Sequence, residues 1–312
     1  MNNNQINVLS LFSGIGAFEK ALSHLFFDNY NVVNYCEIDK YASKSYSAVH
    51  GIPEELNLWD VKSVDTSKIT TPIDLITYGF PCQDISLAGY QQGFFAENGE
   101  ITRSGLFFEA LRIIKDLQPK IAIAENVKAL CGKKFKKEFD LVLSSLEEAG
   151  YNNYYQILNA KDYGIPQNRE RVFVISIRKD IDDGKFKFPK PMPLKINLSD
   201  LLEKTVDEKY YLDDKFLLEL EEKLKGKELS KTIRAGGRAS VDRHSWDLSL
   251  IGKKIRRRTP LECWRLMGFD DKDYYKAAEV CSETQLYKQA GNSIVVNVLY
   301  HLFSCLVPYL TT

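Results

Sequence analysis

The sequence predicts an α/β fold with a mixed, mainly parallel sheet, followed by a smaller second domain. Three observations support this prediction. Short apolar runs alternate with amphipathic segments as far as Arg178, which is typical of strands joined by crossover helices. A proline-rich stretch at 188–193 then reads as an extended linker. A final apolar segment at 284–306 predicts a helix that returns to pack on the first domain.

The alternation assigns each element in order. Strands are predicted at 7–12, 31–37, 74–78, 120–125, 154–159 and 171–177, and helices at 17–27, 40–49, 106–117 and 134–149. Gly150 stands where a C-terminal helix cap is expected. We therefore predict a first domain over 1–185, completed by 284–312, and a second domain over 186–283.

Composition is that of an ordinary folded chain, with 312 residues, 44% of them hydrophobic and 27% charged. No apolar stretch reaches the roughly 20 residues that span a bilayer, and the N-terminus lacks the features of a signal peptide. We expect a cytoplasmic location and no membrane. The six cysteines are scattered without a C-x-x-C pair, so we expect reduced thiols and no metal site.

Charge is balanced overall, with 42 basic and 42 acidic residues, which argues against a non-specific polyanion binder. One stretch, 225–258, is nevertheless locally basic and also contains Gly236-Gly237, His244 and Trp246. A solvated surface explains such a stretch, but the mixture also suits phosphate contacts and groove readout of a nucleic acid.

Cys82 is a candidate nucleophile. It lies in Gly79-Phe80-Pro81-Cys82-Gln83, directly after the predicted strand at 74–78. A strand that stops at a glycine and a proline presents the next side chain at the carboxyl edge of the sheet, where open α/β folds bind ligands. A buried structural cysteine is the alternative.

The first predicted strand ends in Phe12-Ser13-Gly14-Ile15-Gly16, a turn that brings backbone N–H groups close to a ligand. Glu19 replaces the third glycine of the dinucleotide fingerprint, and its carboxylate would meet a pyrophosphate at the helix start. Glu37 ends the second strand, where an acid accepts hydrogen bonds from a ribose, and Asp60 is placed to accept from an adenine amine. These residues predict a nucleoside cofactor without phosphates, S-adenosylmethionine.

Glu125 ends the strand at 120–125 and is therefore expected at the same sheet edge as Cys82. It is either a structural hydrogen-bond acceptor or an acid/base group beside the thiol. Arg169 and Arg171 stand two residues apart at the start of the predicted strand at 171–177, on one side of it. Surface salt bridges explain such a pair, but arginine also suits carbonyl and phosphate recognition.

The order of these motifs closely resembles the DNA (cytosine-5) methyltransferases, especially the compact bacterial and phage enzymes of restriction-modification systems. The resemblance spans nearly the whole chain. Its motifs are Phe12-Ser13-Gly14-Ile15-Gly16, Pro81-Cys82-Gln83, Glu125-Asn126-Val127, Gln167-Asn168-Arg169-Glu170-Arg171, Arg256-Arg257-Arg258-Thr259-Pro260 with Leu266-Met267-Gly268-Phe269, and Gln289-Ala290-Gly291-Asn292-Ser293.

The resemblance implies a Rossmann-like methyltransferase domain and a target-recognition domain. It also implies methylation of C5 of a cytosine flipped out of a short double-stranded DNA site. In this chemistry the Cys82 thiolate adds to C6, Glu125 holds the N3/N4 edge, Arg171 meets O2, and Arg169 meets a phosphate. The implied cofactor contacts are Phe12, Gly14, Gly16, Glu37, Asp60, Pro81, Leu106 and Asn292, and the expected DNA contacts are Ser86, Arg234, Arg238 and Arg243.

Further expectations are a monomer, S-adenosylhomocysteine as product, and a prokaryotic or phage origin with nucleoid association on DNA. A cognate restriction endonuclease in the same system is also expected. Arg258 departs from the pattern, since the family usually has an apolar residue there. Two other functions stay open: a tRNA cytosine-5 methyltransferase, and a catalytically inert DNA-binding regulator with the same fold. The intact Cys82, Glu125, Arg171 and Asn292 argue against the second.

Overall fold

The computed structural model describes residues 5–27, 29–82, 84–85, 93–95, 99–213, 217–235 and 248–311. Its strands are β1 (Ile6–Leu11), β2 (Tyr30–Cys36), β3 (Leu75–Tyr78), β4 (Ile121–Val127), β5 (Tyr151–Asn159), β6 (Gln167–Asn168), β7 (Glu170–Arg178), β8 (Ser230–Lys231), β9 (Leu248–Ile251) and β10 (Lys254–Arg257). Its α-helices are α1 (Ala17–Phe26), α2 (Lys40–His50), α3 (Phe107–Leu117), α4 (Lys136–Glu148), α5 (Leu217–Leu224), α6 (Pro260–Arg265), α7 (Asp271–Val280), α8 (Glu283–Asn292) and α9 (Val296–Leu310).

The central sheet has six strands in the order β2-β1-β3-β4-β7-β5. β1 pairs in parallel with β2 and β3, and β3 pairs in parallel with β4. β7 is antiparallel to both of its neighbours. The predicted mixed, mainly parallel sheet is confirmed. The carboxyl ends of β1 to β4 therefore meet at one edge, which positions the residues that follow them.

Alternating residues of the strands contribute to two apolar layers, one on each face of the sheet. Val8 and Leu75 contribute to the layer that contains α1 and α9. Leu9 and Ile76 contribute to the opposite layer, which contains α3 and α4. Burial on both faces explains why these strands appear in the sequence as nearly continuous apolar runs.

The C-terminal segment forms two helices, α8 and α9, where the sequence predicted one. α9 packs on α1, with the Phe18 and Phe303 ring centroids 6.2 Å apart. Trp264 and Phe269, within and just after α6, lie in the same apolar layer. The predicted domain boundary at 283 stays a prediction. Trp264 of α6 and Ala277 of α7 lie in the apolar layer that also contains α1 and α9. Among the described residues no single helix is long and apolar enough to cross a bilayer, and only the bent pair α8 and α9 meets that test together.

A small separate cluster lies in the region between the linker and α6. Leu220 and Leu224 of α5 pack against Leu248 and Ile255 of the β9–β10 hairpin. Arg258, unusual for the family, is buried, and its guanidinium donates to Ser230 Oγ at 2.7 Å and Ser249 Oγ at 3.2 Å. Hydroxyl acceptors thus accommodate the arginine where an apolar residue is usual.

Candidate active site

The turn between β1 and α1 depends on left-handed backbone conformations. Gly14 and Gly16 have φ values of 58° and 78°, which glycine adopts without a steric penalty. A Cβ at Gly16 would lie 2.1 Å from Nε2 of His50, so this position excludes any side chain. His50 in turn holds the turn through a hydrogen bond between Nε2 and the Ile15 carbonyl at 3.0 Å. Burial lowers the pKa of His50 to about 4, so the ring is neutral.

Glu37, at the end of β2, is fixed by backbone donors on both oxygens. The Gly14 N–H donates to Oε2 at 2.8 Å, and the Asp39 N–H donates to Oε1 at 2.7 Å. The Asn57 side chain accepts from the Glu37 N–H at 3.0 Å and donates to the Glu37 carbonyl at 2.9 Å. Burial raises the pKa of Glu37 above the ordinary value, while the two N–H donors oppose that rise. The carboxylate is therefore held rigidly beside the glycine turn.

One cavity of about 420 Å³ collects nearly all predicted site residues that the structure describes. The members that the sequence predicted are Phe12, Gly14, Glu37, Asp60, Pro81, Cys82, Leu106, Glu125, Arg169, Arg171 and Asn292. Gly16 does not line it, and its contribution is to shape the turn. The residues predicted to bind a nucleoside and the thiol of Cys82 thus line one continuous space.

Cys82 follows β3 on a segment that β4 holds in place. The Asn126 side chain donates from Nδ2 to the Phe80 carbonyl at 3.1 Å, and the Ile85 N–H donates to the Cys82 carbonyl at 3.0 Å. The thiol is partly buried. Burial raises its pKa, and the Glu125 charge raises it further, whereas Arg171 and Arg169 act in the opposite direction.

Glu125 and Arg171 form an ion pair, with Arg171 Nε 3.0 Å from Glu125 Oε1. Burial raises the pKa of Glu125, and the two neighbouring arginines lower it. A carboxyl group accepts hydrogen bonds when it is ionised and can also donate one when it is protonated.

Arg169 is only 3% exposed, and its two terminal nitrogens bond to backbone carbonyls. Its Nη1 donates to Ile233 at 2.9 Å, and Nη2 donates to Ser293 at 2.6 Å and to Gly291 at 3.2 Å. Burial, with the nearby Arg171 charge, lowers the pKa of Arg169 to about 9. Arg169 therefore ties the region after β8 to the end of α8, and its predicted phosphate contact stays a prediction.

Of the four predicted DNA contacts, the structure describes Arg234. Arg234 is exposed and does not line the cavity. Ser86, Arg238 and Arg243 lie outside the described residues, as do His244 and Trp246. Their assignment as DNA contacts stays a prediction.

One sequence-based interpretation is wrong. Glu19 was expected to face a ligand at the start of α1, but it is fully buried and does not line the cavity. The whole first turn of α1, from Ala17 to Lys20, is buried, and the Glu19 side chain is therefore enclosed by the protein. Exclusion of a pyrophosphate therefore cannot depend on Glu19.

Sequence reasoning also missed several residues of the cavity. Ile38 and Trp59 line it and are 70% and 44% exposed, which places apolar surface beside the two acids. Lys288 of α8 lines it as well and pairs with Asp39 at 2.6 Å. The sequence marks Ile38, Trp59 and Lys288 only because they stand close to the predicted site residues Glu37, Asp60 and Asn292. No group of three or more potential metal ligands occurs among the residues that the structure describes.

Comparisons with known proteins identify the family and the fold. A family model described as C-5 cytosine-specific DNA methylase matches residues 6–307. The type II methyltransferase M2.ScrFI of Lactococcus lactis subsp. cremoris is 46% identical over 259 residues, 79% of this chain and 70% of that protein. The orphan methyltransferase M.SPRI of Bacillus phage SPR is 30% identical over 435 aligned positions, which cover 97% of this chain and 98% of that protein. The Dnmt2 methyltransferase of S. pombe has the same fold, with a TM-score of 0.75 at 22% identity over 97% of this chain and 99% of that one.

Proposed function

The chain belongs to the family of C-5 cytosine-specific DNA methylases and is a cytosine-5 methyltransferase, and from this premise we propose that it methylates cytosine in a short double-stranded DNA site through a covalent Cys82 adduct. The observation that supports the proposal is the shared cavity. Cys82, the Glu125–Arg171 pair and the acids Glu37 and Asp60 all line one space of about 420 Å³.

Cytosine C5 becomes nucleophilic only after a nucleophile adds to C6. In the proposed mechanism the Cys82 sulfur forms a bond to C6, and the displaced electron pair of the ring makes C5 an enamine carbon. Glu125 contacts the N3/N4 edge, and Arg171 donates to O2, so both stabilise charge that builds on the ring. After methyl transfer, removal of the C5 proton and cleavage of the C6–S bond restore the aromatic ring and the thiolate.

S-adenosylmethionine supplies the methyl group as an electrophilic sulfonium substituent and leaves as S-adenosylhomocysteine. The residues present fit this cofactor. In the proposal Glu37 accepts from the ribose hydroxyls and Asp60 from the adenine amine; Ile38 and Trp59 offer apolar surface beside them. Lys288 is the cation among the described cavity residues near Glu37 and Asp60, and it pairs with Asp39. That pairing suits a nucleoside without a pyrophosphate. The remaining predicted contacts are Phe12, Gly14, Gly16, Pro81, Leu106 and Asn292.

The DNA substrate is part of the proposal, because the target atom C6 is covered inside a stacked duplex. The base must leave the stack and enter the cavity, where Cys82 and Glu125 lie. Recognition is assigned to the region 186–283, with Ser86, Arg234, Arg238 and Arg243 as contacts and Arg169 at a neighbouring phosphate. Two named relatives, a type II methyltransferase and an orphan phage methyltransferase, favour a restriction-modification or phage setting. A monomer that works without a metal completes the proposal.

The experiment compares substrates directly. Purified protein is incubated with labelled S-adenosylmethionine and either unmethylated plasmid DNA or tRNA, with Cys82→Ala as the control. We expect label in DNA and none with the variant, and bisulfite sequencing then maps the methylated cytosines. Label in tRNA but not in DNA would contradict the DNA substrate. Equal incorporation by Cys82→Ala would contradict the assigned nucleophile, and no label in either nucleic acid would favour an inert regulator.

A further inference from the structure

Five exposed lysines form a basic patch just after β4, which we call the lysine surface. Its members are Lys128, Lys133, Lys134, Lys136 and Lys137. The ten residues 128–137 contain no aspartate or glutamate. Because the whole chain is neutral, a polyanion must be bound by local concentrations of charge such as this one.

The topology places the lysine surface at the active-site edge of the sheet. Val127, the last residue of β4, lines the cavity, and Lys128 follows it directly. Two short 3-10 turns, Lys128–Cys131 and Lys133–Phe135, then lead into α4. Since α4 runs back toward the start of β5, its first turn lies at the carboxyl edge of the parallel strands, the edge that carries Cys82.

Contacts on two sides fix the patch between elements of the active site. Lys128 Nζ lies 3.0 Å from both carboxylate oxygens of Glu170, the residue next to Arg171. On the other side, a Cβ at Gly93 would lie 2.4 Å from Oε1 of Glu138. The segment 93–95, which follows the nucleophile along the chain, therefore packs against the first turn of α4.

Partners within the protein account for only part of this charge. Lys128 pairs with Glu170 and Lys136 with Asp140, both as exposed ion pairs. Among the residues that the structure describes, no ion pair involves Lys133 or Lys137. Exposed ion pairs stabilise a fold little, so the lysines are explained poorly by folding alone.

We propose that the lysine surface binds phosphates of the DNA duplex that flank the flipped cytosine, an inference that rests on the proposed function. Lysine contacts of this kind hold the duplex in register without reading sequence. The surface therefore adds a second area of phosphate contact, separate from the basic stretch at 225–258. It neutralises the backbone where the duplex must open beside Cys82.

The test measures how DNA affinity depends on salt. Each phosphate contact contributes about 0.9 to the slope of log K against log salt concentration. We compare the wild type with Lys133→Gln/Lys137→Gln, using a labelled mixed-sequence duplex. The expected result is weaker binding and a slope smaller in magnitude by about 2. Lys133→Arg/Lys137→Arg keeps the charge and should keep the wild-type slope.

A matched control removes two exposed lysines from the segment that follows β7. Lys185 and Lys187 are exposed and follow β7, whose last residue, Arg178, pairs with Tyr151 at the start of β5. Their double Gln variant should keep the wild-type slope. Calorimetric binding of S-adenosylhomocysteine, unchanged in all variants, shows that each is folded.

The outcomes separate this inference from the function on which it rests. A wild type that methylates DNA, together with an unchanged slope for Lys133→Gln/Lys137→Gln, overturns the lysine surface alone. An equal loss of slope in the Lys185/Lys187 control overturns it too, because the effect would then come from net charge. A wild type without salt-dependent DNA binding overturns both the surface and the DNA substrate.

Discussion

Arg171 and Glu125 form an ion pair of 3.0 Å across two antiparallel strands at the edge of the sheet that carries Cys82. Arg171 lies directly opposite Val127 in the register, and Glu125, two residues earlier on β4, points to the same face. The side chains are only 17% and 11% exposed. The strand register thus fixes a guanidinium and a carboxyl group beside the thiol.

The first prediction concerns the ionisation of Cys82. Replacing Glu125 with Gln removes a negative charge that raises the thiol pKa and leaves Arg171 to lower it. We expect alkylation of Cys82 in the free protein to reach its maximal rate at a lower pH than in the wild type. Iodoacetamide labelling across pH, followed by peptide mass spectrometry, measures this. Glu170→Gln, which changes an exposed neighbour, is the control, and an identical pH profile for both variants would contradict the prediction.

The second prediction concerns cofactor affinity. Glu37→Ala removes a carboxylate that accepts from Gly14 and Asp39 and that we assign to the ribose. A hydrogen bond to a charged group contributes about 1.5–3 kcal/mol, so S-adenosylhomocysteine should bind roughly 10- to 100-fold more weakly. Isothermal titration calorimetry measures the affinity. Asp65→Asn, at an exposed acid outside the cavity, should bind as the wild type does. Unchanged affinity for Glu37→Ala would remove Glu37 from the cofactor site.

The third prediction concerns Arg169. Replacement by Met leaves the carbonyls of Ile233, Gly291 and Ser293 without this donor. Each buried acceptor left unsatisfied costs about 1–3 kcal/mol, so the free energy of unfolding should fall by about 3 kcal/mol or more. Urea denaturation measures it. Arg112→Met, at a partly exposed pair with Glu109, should cost less than about 1 kcal/mol. Full stability combined with weaker DNA binding would instead support a phosphate-binding role for Arg169.

The fourth prediction concerns Glu19, whose pKa burial raises above 4.5. The folded state then binds the proton more tightly than the unfolded state does. The stability that this provides is present below 4.5 and is lost as the pH rises through the pKa of the folded state.

Relative to Glu19→Gln, the wild type should therefore lose up to about 1.4 kcal/mol per pH unit above 4.5 until the folded-state pKa is passed. Urea denaturation of both proteins over a pH series measures this difference. Parallel pH dependences would show that the Glu19 carboxyl is not held in its protonated form.

The elements of the first domain could be predicted because burial on one or both faces leaves a clear apolar pattern. Boundaries were less certain where that pattern weakens. β5 begins at Tyr151 rather than at 154, since the polar residues Asn152 and Asn153 pair with β7 at the sheet edge. The predicted helix at 284–306 is divided between α8 and α9, and Ser293, in the break, accepts a hydrogen bond from Arg169.

The site was predictable to the extent that it follows strand ends. Glu37, Cys82 and Glu125 stand at or near the carboxyl ends of β2, β3 and β4, and the topology brings them to one edge. Trp59, Asn57 and Lys288 were not predicted, because the sequence marks them only through their neighbours and the folded chain brings them near the cavity or its acids. Glu19 was misplaced because position in a motif does not determine which face of a helix a residue occupies.

The central claim, a covalent bond between Cys82 and C6 of cytosine, is tested most directly by trapping the adduct. A duplex that carries 5-fluorocytosine at the mapped site lacks the C5 proton whose loss releases the enzyme. With S-adenosylmethionine present, the account predicts a stable protein–DNA complex that survives denaturation, with the DNA attached to the peptide containing Cys82. Normal methylation of the unfluorinated duplex without any adduct at Cys82 would contradict it.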